Sequence, residues 1–250
     1  MSKKPWNIFF CFWAWAGEPN PVPVPISYYT MDEWSGTTAF DSVGSNDFAL
    51  SNTSWGAWKI NTWLDFNWTN SKWDWPISFT VNSISSYSFW YKTNSTWSRL
   101  QVLWWYKTTT PTTQFWIILN YRPWTAWATN WDIWVYNFRS DLWNTERTFY
   151  STIWPTLYDW NWHHIVIVLD NTIDTWWEIY FNWVKQTKVN VVNNTLNNYT
   201  IPLWLWYRRS LNDHWFNWQI DEVWIWNQAL TQEQITYLYN SWNGARPPFS

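Results

Sequence analysis

From Ile77 to Trp226 the chain breaks into short runs of β-branched and aromatic residues, each closed off by Asn, Ser, Thr or Asp. Runs of this length and composition, bounded by turn-forming residues, predict strands. The clearest are Ile77–Val81, Ser86–Lys92, Phe115–Tyr121, His164–Leu169, Glu178–Phe181 and Gln219–Trp226. His164–Leu169 is continuously apolar, which predicts a central strand covered on both faces. One segment reads as helix. Thr231-Gln232-Glu233-Gln234 is a capping box, and Ile235, Leu238 and Tyr239 follow it at i, i+3 and i+4. The pattern predicts an all-β chain with one short C-terminal helix.

Such a chain needs many tight turns, and tight turns use positive φ, where glycine is at ease. Yet its 250 residues hold 33 Trp and only 5 Gly, where average usage of about 7% would supply roughly 18 glycines. Asn182-Trp183 falls between two strand runs, where Asn-Gly would make a type I′ hairpin with both residues at φ > 0. Two readings follow: a tryptophan-rich surface for stacking on sugars, or tryptophan letters at positions that call for glycine. The placement in turns favours the second.

Charged residues make up 13% and the net charge is −3, which leaves no basic footprint for nucleic acid. Cys11 is the single cysteine, so the rest of the chain forms no internal disulfide. Residues 1–16 open with Lys3 and Lys4, run apolar from Ile8 and end in Ala14-Trp15-Ala16. That is the layout of a secretory signal peptide, and it predicts an extracellular or cell-surface protein. Residues 17–25 are a proline-rich spacer, and the domain is expected over 26–250. No other stretch reaches the ~18 apolar residues of a membrane span.

Several segments, in order along the chain, resemble the laminin-G-like branch of the concanavalin A-like superfamily. Tyr28–Glu33 with Gly36–Asp41 is similar to its opening strand and loop. Ser86–Lys92, Asp159–Val166 and Ile179–Trp183 are similar to internal strands. The closing run is the most specific: Phe216–Val223, Ile225-Trp226-Asn227, Ala229-Leu230 and Leu238-Tyr239-Asn240. The resemblance implies a two-sheet antiparallel jelly-roll sandwich, with Tyr28–Asp32 lying beside Gln219–Trp226. It also implies a recognition or adhesion module binding glycan or a cell-surface protein. A structural segment of a surface or phage tail protein is the alternative, and a glycoside hydrolase of the same fold a third.

The departures are informative. Where the family pattern has glycine, the chain has Trp160, Trp183, Trp204, Trp206, Trp218 and Trp242, with Trp58, Trp63 and Trp68 as further cases. Trp90, Trp162 and Trp226 fit the family as written. A bulky residue in a glycine-type turn costs about 1–3 kcal/mol, so several would consume most of the ~5–15 kcal/mol that holds a domain folded. The expectation is an alternative genetic code, in which UGA codons translated as Trp are read as Gly by the source. Some uncultivated bacterial lineages and their phages use such a code.

Laminarinase-type glucanases on this fold carry alternating acids on one strand face. Here Gln219 replaces the first acid, while Asp221 and Glu222 are adjacent and expected on opposite faces. The chain therefore reads as not an enzyme. His163-His164, also adjacent, are expected on opposite faces and unable to share a metal. A structural calcium ion is the cofactor expectation, with Asp221 and Asp41 as candidate ligands. In the alternative, Asp41 caps a turn and Asp221 accepts backbone hydrogen bonds.

Overall fold

The structure is a computed structural model of the chain. It describes residues 22–57, 59–66, 72–74, 78–81, 84–93, 100–107, 113–121, 131–139, 159–170, 177–187, 199–205, 218–240, 243, 244 and 246, with the backbone alone for the strands within 72–81, 100–139 and 199–205 and for residue 177. The expected signal peptide, and Trp58, Trp68, Trp206 and Trp242, lie outside these residues.

The first half carries β1 (Ser27–Tyr29), β2 (Thr38–Ala39), β3 (Phe48–Ser51), β4 (Thr53–Ala57), β5 (Thr62–Phe66), β6 (Lys72–Asp74), β7 (Ser78–Val81), β8 (Ile84–Lys92), β9 (Leu100–Lys107) and β10 (Thr113–Tyr121). There follow β11 (Trp131–Arg139), β12 (Trp162–Asp170), β13 (Trp177–Phe181), β14 (Val184–Lys185), β15 (Tyr199–Leu205), β16 (Trp218–Trp226) and α1 (Gln232–Tyr239). An eight-stranded sheet runs β14-β13-β12-β8-β16-β5-β4 with β1 beside β16, a five-stranded sheet runs β11-β10-β9-β15-β7, and β2-β3-β6 form a small third. The fold is an antiparallel β-sandwich with one short helix among the described residues, as the sequence predicts. The first and last strands do lie together: Tyr28 pairs with Trp224.

Both faces of the large sheet are covered. Tyr87, Phe89 and Tyr91 of β8, Ile165, Ile167 and Leu169 of β12, Ile220 of β16 and Leu64 of β5 are buried on one face. On the other, Val166, Val168, Tyr180, Trp224, Trp226 and Tyr28 pack against Val22, Leu230, Ile235 and Leu238. Each large apolar side chain so buried contributes about 1.5–3 kcal/mol. The helix is held by its capping box, since Gln234 N–H donates to Thr231 Oγ1 at 3.3 Å and Thr231 N–H to Gln234 Oε1 at 2.8 Å. The described end of the proline-rich segment is packed: Val22 is buried, and Trp226 Nε1 donates to the Pro23 carbonyl at 2.9 Å. Asn182 and Trp183 take φ of 46° and 65° in the turn joining β13 to β14, the backbone of a type I′ hairpin.

Candidate functional site

The expected separation of Asp221 and Glu222 needs correction. β16 slips register between Asp221 and Trp224, and Glu222 takes φ of 53°. A bulge of this kind breaks the alternation of a strand, and both side chains end up buried, at 0% and 2% exposure. Glu222 Oε2 accepts from the Tyr28 hydroxyl, and Oε1 accepts from Arg246 Nε at 2.6 Å. Arg246 also donates to Asp32 and to the carbonyls of Ile60 at 2.7 Å and Thr30 at 3.4 Å. Asp221 Oδ2 accepts from Ile60 N–H at 3.0 Å, while its Oδ1 has no hydrogen-bond partner among the described residues. Burial pushes both carboxyl groups up, Asp221 further by the neighbouring Glu222 charge. Arg246 and the Tyr28 hydroxyl pull Glu222 back to about 7.

Asp41 stands elsewhere. Its Oδ1 accepts backbone N–H from Tyr28 at 3.0 Å, Val43 at 3.2 Å and Gly44 at 3.0 Å, and its Oδ2 from Asn46 at 3.3 Å. It caps a turn and ties that turn to β1. A carboxylate ringed by N–H dipoles is a poor calcium ligand, because the donors occupy the lone pairs a cation needs. Asp41 and Asp221 bond different segments, and no group of three or more His, Cys, Asp or Glu is arranged to hold a metal among the described residues.

The histidines face opposite ways. His163 stacks on Phe181 at 4.8 Å and joins Asp159 and Asn182 at 2.8 and 3.1 Å. His164 stacks on Trp90 at 5.0 Å and meets Ser88 Oγ at 2.7 Å. Burial pushes His164 down to about 3.

A different constellation was not signalled by any motif. Trp162 opposes Lys92, Lys92 opposes Gln219, Gln219 opposes Asp65 and Asp65 opposes Ser54. Directly opposed residues of an antiparallel sheet share a face, so these five form one row across β12, β8, β16, β5 and β4. It lies on the face that α1 covers, past the end of the helix. Ser54 is exposed and the other four half-buried. Trp63 flanks the row, 5.7 Å from Trp162, and Lys92 Nζ lies 4.8 Å from the Trp160 ring. The next positions inward are covered, because Lys59 Nζ sits 3.8 Å over Trp90 and Tyr239 stacks on the same indole at 5.6 Å. Polar residues at alternate strand positions read as an ordinary solvent face, and only the register lines them up.

No protein-family profile matches the chain, and no curated protein does. Among solved structures it is similar to domain 4 of a GH43 extracellular arabinanase from Geobacillus stearothermophilus, in complex with arabinotriose: 17% identity, TM-score 0.56, covering 85% of this chain and 96% of that one. It is similar to the Trypanosoma rangeli sialidase in complex with sialic acid at 12% identity and TM-score 0.57, covering 90% of this chain. It spans only 34% of the sialidase chain. The binding domain of Paraclostridial Mosquitocidal Protein 1 follows at 13% identity and TM-score 0.52, with 87% of this chain and 52% of that one covered. At these identities the likeness concerns the fold.

The expectation that the chain is not an enzyme is overturned on two grounds. The folds it resembles include portions of glycoside hydrolases. The supposed divergence of Asp221 and Glu222, which argued against catalysis, is undone by the bulge. Fold does not decide chemistry, and a non-enzymatic role is not established.

Proposed function

We propose that this domain recognises carbohydrate along the row Trp162, Lys92, Gln219, Asp65 and Ser54. The row itself carries the reading. An indole offers a face to sugar C–H groups, and beside it stand an ammonium and a carboxamide N–H able to donate to sugar hydroxyls and a carboxyl and a hydroxyl able to accept from them, while Gln219 Oε1 itself is buried. At about 4.8 Å per strand the backbone beneath the row spans roughly 19 Å, and the Trp162 and Trp63 rings meet above it at 5.7 Å, a pair of indoles on which a sugar ring can stack. Support also comes from the similarly sized arabinanase domain, which was seen in complex with arabinotriose. A glycan array followed by calorimetry tests this. Trp162→Ala and Gln219→Ala should each weaken binding at least tenfold with an unchanged melting temperature. A parent that binds no glycan, or variants that bind as it does, would overturn the reading.

We infer further that glycine occupies some tryptophan positions in the protein as its source makes it. Trp34, Trp160 and Trp183 take φ of 61°, 60° and 65° and are 64%, 42% and 39% exposed. A left-handed backbone lacks steric ease for a bulky side chain, and the partial cover these indoles find, Trp183 against Tyr239 at 4.3 Å and Trp160 against Lys92, leaves them exposed to water. Trp34 is an addition to the positions singled out by pattern. Trp218 is different: it is buried and stacks on Tyr91 at 4.9 Å. Trp162, on which the row depends, fits as tryptophan. Intact mass and peptide sequencing of the protein from its source test the reading.

A further inference from the structure

We propose that Arg246 is a positioning residue for the recognition surface, clamping the 59–61 loop onto Trp90 to build the wall that borders the row. The proposal rests on the carbohydrate reading above. Ile60 is gripped on both sides of its backbone, its N–H by Asp221 at 3.0 Å and its carbonyl by Arg246 at 2.7 Å. Asp32 bonds the same loop through Asn61 Nδ2 at 3.3 Å and Thr62 N–H at 3.4 Å, and it also accepts from Arg246. Gly244 closes over the top: a Cβ there would meet Ile60 Cδ1 at 2.2 Å and Trp90 Nε1 at 3.3 Å. Trp90 and Asp221 each lie two residues from a member of the row, Lys92 and Gln219, on the same strands and the same face. The loop therefore occupies the positions directly beside the row, with Lys59 Nζ held over Trp90. A planar guanidinium can reach Glu222, Asp32 and two carbonyls at once, whereas an ammonium offers a single point charge.

The test uses the full chain with Arg246→Lys and Arg246→Gln. Asp32→Asn serves as a second variant that loosens the loop while keeping Arg246 on Glu222. Amide exchange at Ile60 should speed at least tenfold in all three, with the amides of Phe89 and Ile165 unchanged. The Lys59 ammonium, which burial pushes down to about 8, should titrate closer to an ordinary lysine once the loop lifts into water. Affinity for the glycan found on the array should fall at least tenfold in both Arg246 variants, the lysine giving no rescue. Unchanged Ile60 exchange and Lys59 titration would overturn the clamp. A released loop with unchanged affinity would overturn its part in recognition. A parent that binds no glycan would sink the carbohydrate reading alone, since exchange and titration still decide the clamp.

Discussion

Asp221 and Glu222 are neighbours whose carboxyl groups are both buried, because the backbone passes through φ of 53° at Glu222. A left-handed non-glycine residue costs about 1–3 kcal/mol, and the Tyr28 and Arg246 bonds to Glu222 offset that strain.

Burial of Glu222 has a signed pH consequence. Its carboxyl is raised from 4.5 to about 7 on folding, so the folded state holds the proton more tightly. The stability linked to that proton is complete below about pH 4.5 and lost as pH rises through 7. Glu222→Gln should flatten this part of the profile. Melting temperatures of parent and variant at pH 5.5 and 7.5, compared as differences, check it.

His164 acts with the opposite sign. Folding lowers it from 6.5 to about 3, by burial and then by the Lys59 charge. Its contribution is present above pH 6.5 and lost as pH falls, because the unfolded chain takes up the proton first. His164→Gln should give a shallower acid limb in a urea titration followed across pH 3.5 to 6.5, with lower stability at neutral pH. An unaltered limb would place the acid sensitivity elsewhere.

Asp41→Ala strips acceptors from four backbone N–H groups. The expected loss is about 3 kcal/mol, given the usual worth of bonds to a charged acceptor. Asp41→Asn should recover part of it. The parent's melting midpoint should be the same in calcium and in chelator. A calcium-dependent rise that Asp221→Ala removes would reinstate a bound cation.

Replacing tryptophan by glycine should stabilise the chain where the backbone is left-handed. Trp34→Gly, Trp160→Gly and Trp183→Gly are each expected to add about 1 kcal/mol in chemical denaturation, the lower end of the strain relieved. Trp226→Gly should do the reverse, as its indole is fully buried. In the source gene the first three should be UGA, and Trp90, Trp162 and Trp226 UGG.

Local chemistry was enough for six of the strands (β7, β8, β10, β12, β13 and β16), the helix and the hairpin. The Thr231–Gln234 capping box, the apolar run of β12 and the Asn182-Trp183 turn each depend on residues a few positions apart, whose preferences are written in composition and period. The pairing of β1 with β16 was reached through resemblance. The site was not legible. Arg246 meets Asp32 across 214 residues and Glu222 across 24, and no local preference records such a contact. The Glu222 bulge reversed a face assignment that strict alternation dictates, because burial against Tyr28 and Arg246 outweighs the cost of one strained residue. Lys92, Gln219 and Asp65 are separately unremarkable polar strand residues. Only the register of three paired strands turns them into one row, and register is set by how whole faces bury.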